Sequence, residues 1–163
     1  MDNTTLFIEM SLKAWKIYVD RVTKFLDNTP DEKLKAEIAP GKNTIIYLIG
    51  HLIAVHDNMI ALYQLGDRSF AKFDEAFVKN PDKSGLEFPS PAEIRLAWKQ
   101  SNELLDAYFA KMTPADWLGR HTAVSEADFA KEPFRNKLNL LLNRTSHMAY
   151  HLGQLILAKP KDA

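Results

Sequence analysis

Two histidines near the end of the chain have the spacing needed to bind one metal ion. His147 and His151 are four residues apart, in an apolar stretch that runs from about 134 to 157. On an α-helix such residues share one face with Cβ atoms about 5 to 6 Å apart, so both imidazoles can reach one ion. The alternative is that they only hydrogen-bond to each other or to the backbone. Two ligands do not complete a site, so another part of the chain must supply a third.

His51 is the best candidate for the third ligand. It lies at the edge of the apolar arc of a predicted helix, where an imidazole can reach a groove open to water. His56 is the competing candidate, but it lies about 140° around that helix from His51. It falls in the middle of the apolar arc, which favours a packed or interface histidine. His121 falls in a predicted loop and is expected to be exposed.

The amino-acid composition narrows the chemistry further. The chain has no cysteine, which excludes disulfides, thiolate ligands and cysteine nucleophiles and leaves His, Asp and Glu as metal ligands. Lys plus Arg and Asp plus Glu each number 21, so a net charge of zero gives no electrostatic reason to expect nucleic acid or an anionic membrane as a partner.

Length and hydropathy favour one soluble domain. The chain has 163 residues, which predicts a single domain over 1–163. Asp2 and Glu9 interrupt the first apolar stretch, which does not suit a secretory signal. We find no apolar run approaching the roughly 20 residues of a membrane span. A cytoplasmic location is therefore expected.

Apolar residues that recur at intervals of three and four positions predict an all-α protein, a four-helix bundle with four long helices. The predicted helices run from about Thr4 to Leu26, from Thr44 to Leu65 with Asn43 as a possible cap, from Pro91 to about Met112, and from Phe134 to Leu157. The start of the third is marked by a capping box with proline at its first position. Thr113–Asp116 resembles a second, shorter box that opens a brief helical turn.

A connection of about two dozen residues joins helices 2 and 3, and it is long enough to make them parallel. We expect its four phenylalanines to pack across the bundle: Phe70, Phe73, Phe77 and Phe88. Gly50 lies inside helix 2, where a glycine lowers helix stability by about 1 kcal/mol relative to alanine. Close approach of a neighbouring helix or a ligand would explain it; the alternative is that the helix simply tolerates the glycine.

If helices 2 and 4 are antiparallel, counting along them places the three histidines at one height. His51 lies eight residues after Asn43, and the residue eight before Leu157 falls midway between His147 and His151. Polar residues at the margins of the apolar faces of helices 2 and 4 could orient a substrate. They are Asn58, Asn143, Arg144 and Gln154. Arg144 could hold an anionic group, although a surface salt bridge is the more common role of such an arginine. No general base is identified.

Two motifs occur in order along the chain: Ala39–Thr44 leading into Gly50-His51-Leu52, and Ser146–Gln154 near the C-terminus. In these motifs the sequence resembles the DinB/YfiT-like superfamily of four-helix-bundle proteins. The resemblance implies an up-down-down-up bundle, frequent homodimers, and a divalent metal, commonly zinc or nickel, held by a histidine triad. That triad corresponds to His51, His147 and His151. Some relatives transfer thiols such as bacillithiol, mycothiol or glutathione, or isomerise maleylpyruvate.

Two functional hypotheses follow. The first is a metal-dependent enzyme of transferase or hydrolase type, in which the ion activates a water or a thiol for reaction with a small-molecule substrate. The second is a noncatalytic, dimeric bundle with a stress-related or regulatory role that binds metal or a small ligand. In that case the apolar arcs of helices 2 and 4 could form the dimer face. A third possibility is that the histidines are structural and bind no metal.

Overall fold

The structure is a computed structural model that describes residues 2–158, and it is all-helical over that range. Four long helices lie close to the predicted positions. Their bounds are Asn3–Asp27 (α1), Ile45–Tyr63 (α3), Pro91–Phe109 (α4) and Lys137–Ile156 (α7). The shorter helices are Asp31–Leu34 (α2), Pro114–Leu118 (α5) and Glu126–Lys131 (α6), and a π-helical segment spans Glu75–Lys79.

Local side-chain chemistry sets where the helices begin. Ser90 and Glu93 form the predicted capping box of α4, and Thr113 and Asp116 form the second box, which opens α5. The cap predicted for α3 was wrong by one residue. Thr44, rather than Asn43, accepts a hydrogen bond from the backbone N–H of Tyr47.

Contacts between side chains and helix backbones set the direction of neighbouring helices. Arg95, early in α4, donates to the carbonyl of Leu26 near the end of α1, while Lys16 pairs with Asp106 further along α4. α1 and α4 therefore run in opposite directions. The Tyr63 hydroxyl, at the end of α3, donates to the carbonyl of Lys137 at the start of α7.

The long connection is folded onto the bundle as predicted. Phe73 and Phe77 are buried, and Phe70 and Phe88 are partly buried against the core. Neighbouring rings lie 4.9 to 5.5 Å apart in the order Phe70, Phe73, Phe77, Phe88. This packing holds the π-helical segment against α3.

α3 is the central apolar helix. Over the described residues it is the one helix long and apolar enough to cross a membrane by length and composition, so the expectation that no run approached that length was wrong for α3. Of its most apolar window, 67% is buried inside the protein, and a buried core helix passes the same test. Packing in the bundle therefore accounts for its composition.

Candidate metal centre

The three predicted histidines meet between α3 and α7. The Nε2 atom of His147 lies 3.2 Å from Nε2 of His51 and 3.0 Å from Nε2 of His151. One nitrogen from each ring lies within 4.8 Å of the other two, the one such group among residues 2–158 that could hold a metal ion. Three imidazoles around a tetrahedral zinc have nitrogens about 3.3 Å apart. The two measured distances are close to that spacing.

The antiparallel arrangement of α3 and α7 explains why the rings meet. The contact between Tyr63 and Lys137 fixes the level of one helix against the other. His51 lies 12 residues before Tyr63, and the histidines of α7 lie 10 and 14 residues after Lys137. At 1.5 Å per residue, His51 is therefore level with the midpoint of the pair.

Two of the rings are held in the tautomer that suits metal binding. Nδ1 of His51 donates to the backbone carbonyl of Phe77 at 2.7 Å. Nδ1 of His151 donates to Oε1 of Gln154, also at 2.7 Å. Because each Nδ1 carries the proton, each Nε2 carries a lone pair directed toward the centre. Hydrogen bonds of this kind orient histidine ligands and raise their basicity.

Without an ion, the three neutral rings cannot satisfy all of their facing nitrogens by hydrogen bonds, and His147 shows why. Its Nδ1 is buried and has no hydrogen-bond partner among the described residues. A proton on its Nε2 can be directed at only one of the two facing lone pairs, and a proton on Nδ1 leaves three lone pairs facing each other. A divalent cation would accept all three lone pairs, so the donor set fits such an ion.

Burial favours the neutral form of His147 and His151. It lowers the pKa of His147 to about 4, with further lowering from His151, His51 and Arg144. Burial also lowers the pKa of His151, while the hydrogen bond to Gln154 partly opposes that change. Metal ligation requires neutral imidazole. His147 and His151 are therefore ready to bind a cation at pH 7.

Gly50 allows the connection to reach His51. A Cβ built on Gly50 would lie 2.4 Å from the nearest carbon of the Phe77 ring, well inside van der Waals contact. The close approach predicted at this glycine is therefore made by the π-helical segment, rather than by a neighbouring helix or a ligand. The bare backbone of Gly50 lets Phe77 lie against α3, and the carbonyl of Phe77 then meets His51.

A buried ion network, which the sequence analysis missed, ties the start of the same connection to α3. Asp57 is fully buried and accepts hydrogen bonds from Nε of Arg68 at 3.0 Å and from the backbone N–H of Ser69 at 2.9 Å. Arg68 also donates to both carboxylate oxygens of Asp74, at 2.6 and 2.7 Å. An aspartate inside the most apolar helix was the available clue, because a buried carboxylate requires a partner.

The four predicted substrate-binding residues differ in their surroundings. Gln154 is bonded to His151 and donates to the Tyr150 hydroxyl at 3.1 Å, so it orients one ring of the triad. Asn143 is exposed, and Asn58 is half-buried two turns along α3 from His51. Arg144 is half-buried, and its Nε has no partner among the described residues. Their contact with a substrate stays a prediction.

The remaining two histidines lie outside the triad. His56 is fully buried, as expected, with ring centroids 4.6 Å from Trp15 and 5.7 Å from Trp98. Burial lowers its pKa well below the usual value. His121 was expected to be exposed, which was wrong. It is half-buried because its loop docks on α3, where the N–H of Thr122 donates to the carbonyl of Leu62.

Comparison with known proteins identifies the family. Comparison with curated proteins returns no match. A solved structure described as the conserved protein of locus from Enterococcus faecalis is similar in fold, with a TM-score of 0.63 and 16% sequence identity; the match covers 97% of this chain and 95% of that one. The family model of the DinB superfamily matches residues 16–155, a range that includes all three histidines. The chain belongs to the DinB superfamily.

Proposed function

We propose that this protein is a metal-dependent enzyme of transferase or hydrolase type. His51, His147 and His151 would hold a divalent ion, zinc or nickel, through their Nε2 atoms. The observation that carries the proposal is the convergence of these nitrogens, two of them fixed by hydrogen bonds on the opposite side of the ring. Neutral ligands leave such an ion its full charge, which lowers the pKa of a water or thiol bound to it.

Side chains and backbone around the triad would orient the histidines and position the substrate. The Phe77 carbonyl and the Gln154 side chain orient His51 and His151. Asn58, Asn143 and Arg144 lie on α3 and α7 on the side of the triad toward Tyr63, where a small molecule could contact them. A thiol is a suitable substrate for such a centre, because its deprotonated sulfur is both a metal ligand and a nucleophile.

Purified protein without a histidine tag provides the test, because a tag can itself load nickel. We expect about one divalent ion per chain and metal-dependent reaction of a thiol with an electrophile. His147→Ala should remove both properties. A broad screen of thiols, esters and amides that finds no metal-dependent turnover in fully loaded protein would contradict the enzymatic proposal.

A second candidate is a noncatalytic homodimer that binds metal or a small ligand. Its support is two groups of exposed large apolar side chains, one mainly near the start of α1 and the other near the end of α7. They are Leu6, Phe7, Met10 and Ile17 of α1, and Tyr150, Ile156 and Leu157 near the C-terminal end of α7. The apolar arc of α3, considered earlier as a dimer face, is buried within the chain. Metal that raises the melting temperature without supporting turnover would favour this candidate.

The helix directions support an up-down-down-up order for the bundle, which we include in the proposal. α1 is antiparallel to α4, and α3 is antiparallel to α7. Thr44 lines a cavity with Pro91, at the starts of α3 and α4, and Tyr63 lines another with Tyr108, at their ends. These cavities indicate that α3 and α4 run in the same direction, as the long connection allows.

A further inference from the structure

We propose that Arg144 forms a subsite for a carboxylate group of the substrate, next to the histidine triad. The inference rests on the proposed metal-dependent function and adds the class of molecule, a small anion whose metal-binding group and carboxylate are separated by a short chain. Arg144 lies three residues before His147 on α7. The two side chains therefore share a helix face, with about 4.5 Å between their positions along the axis.

Among residues 2–158, Arg144 has no carboxylate partner. Its Nε is buried and has no hydrogen-bond partner, and no carboxylate of the described residues lies within ion-pair distance of its guanidinium. Other partly buried arginines here are paired: Arg68 with Asp57 and Asp74, and Arg95 with Asp31. Because a buried charged donor without a partner is costly, an external anion is the missing partner that the chemistry indicates.

The surroundings of Arg144 favour an anion. His121 has a buried Nδ1 with no hydrogen-bond partner in the part of the chain that the structure describes, and it could serve as a second donor. Burial lowers its pKa, and the positive charges of Arg135, Arg144, Arg120 and Lys137 lower it further. Of these cations, Arg120 is paired with Glu126 and Arg135 with Glu132, so a carboxylate would be attracted mainly by Arg144 and Lys137. The planar guanidinium of arginine also matches a carboxylate in shape, with two parallel hydrogen bonds.

The fold places this group of cations in line with the triad. The loop carrying His121 docks on the end of α3 through Thr122 and Leu62, and the start of α7 is bonded to Gly119 of that loop. Arg144 lies on α7 between that end and His147. A molecule with its metal-binding group at the triad would therefore extend its other end toward Arg144.

The first experiment measures the subsite without metal. Metal-free protein is titrated with sodium formate or sodium chloride while the Nε–Hε signals of its arginines are followed by ¹⁵N NMR. We expect a saturable shift of the Arg144 signal with formate and a much smaller response to chloride. Arg144→Lys identifies the signal by removing it. No saturable formate shift, or an equal response to chloride, overturns the subsite whether or not the chain binds metal.

The second experiment measures the link to the metal. Cobalt-loaded protein is titrated with mercaptoacetate, 3-mercaptopropionate and 4-mercaptobutyrate, and with the neutral amide of each, and thiolate-to-cobalt absorbance gives the affinity. At one chain length or more, the acid should bind at least about tenfold more tightly than its amide, as expected for a charge-assisted pair. Arg144→Gln should remove that preference. Arg135→Gln, which removes the same charge from an arginine paired with Glu132, should largely keep it.

The outcomes separate the two proposals. Equal affinity for acids and amides at every length, or a preference that survives in Arg144→Gln, overturns the carboxylate subsite while leaving the metal centre in place. Failure to bind cobalt overturns the proposed function, and the formate titration then decides the subsite alone.

Discussion

Two histidines of one helix, five residues apart, have opposite surroundings. His51 lies at the rim of α3, where both ring nitrogens are engaged, Nδ1 with the Phe77 carbonyl and Nε2 beside His147. His56 lies in the core between two tryptophans, and neither of its nitrogens has a partner among the described residues. Burial alone therefore does not make a histidine a ligand. The ring must also meet donors from a second helix and an acceptor that fixes its proton.

The largest expected difference concerns metal affinity. His147→Ala removes one of the three proposed ligands and should weaken zinc binding by more than about 100-fold, beyond the effect of losing a supporting hydrogen bond. His56→Leu should keep about one ion per chain, because that ring does not reach the centre. Calorimetric titration and metal analysis of untagged protein measure both. If both substitutions weaken zinc binding equally, the distinction between the triad and the core histidine His56 is wrong.

Gly50→Ala tests whether the connection aligns His51. The new methyl group would overlap the Phe77 ring, so the free energy of unfolding should fall by about 1 to 3 kcal/mol, despite the better helix propensity of alanine. Displacement of the Phe77 carbonyl should also weaken zinc binding by about 10- to 100-fold.

Gly153→Ala is the matched control for that substitution. It lies on α7 beside the triad, and a Cβ there meets nothing within 4 Å. We expect it to raise the free energy of unfolding by about 0.5 to 1 kcal/mol and to leave zinc affinity unchanged. Urea unfolding and zinc competition measure both variants. If Gly50→Ala behaves like the control, Phe77 has no role in positioning the ligand.

Gln154→Leu sharpens the description of the metal-binding face. It removes the acceptor for Nδ1 of His151 while keeping a similar volume. We expect zinc affinity to fall by about tenfold, at the low end of the range for supporting hydrogen bonds. Gln154→Glu should raise affinity, since a carboxylate is a stronger acceptor. An unchanged affinity in both variants, measured by competition with a chromogenic chelator, would show that His151 is oriented by packing alone.

The smallest expected effect is on pH dependence and concerns His56. Its folded-state pKa lies well below the unfolded value near 6.5, so the unfolded chain binds a proton first as pH falls. The neutral His56 ring therefore contributes fully to the free energy of unfolding above pH 6.5. Below that pH its contribution falls by up to about 1.4 kcal/mol for each pH unit. His56→Leu removes that loss. Without metal, the free energy of unfolding of the variant minus that of wild type should therefore be about 1 kcal/mol greater at pH 5.5 than at pH 7.5.

Urea unfolding with a chelator present, at both pH values, measures that difference. His147 also has a lowered pKa and remains in the variant, so some loss of stability in acid should persist. The same stability difference between wild type and His56→Leu at both pH values would show that His56 does not contribute to the acid sensitivity of the fold.

The long helices and the approach of the three histidines could be predicted because local pattern determines them. Apolar periodicity fixes which face of α3 and α7 is buried, and counting from the helix ends placed His51 level with His147 and His151. The proline-containing capping boxes at Ser90 and Thr113 were also readable. In each case the physical cause lies within a few residues of its effect.

The supporting structure could not be predicted because its causes are distant in sequence. The partner of Asp57 is 11 residues away, and the acceptor for His51 is 26 residues away. The second is a backbone carbonyl, which every residue type has, so no residue type indicates it. The partial burial of His121 likewise depends on where its loop docks. Short helices such as α6 lack the repeated apolar face that identifies longer ones.

The carbonyl of Phe77 has a consequence for how this centre can change. A main-chain atom survives replacement of the side chain at 77, provided that the local trace is kept. Lengthening or shortening the segment from Arg68 to Lys79 by one residue would move that atom while retaining every histidine. Ion affinity should therefore respond to insertions and deletions in a part of the chain that contributes no ligand.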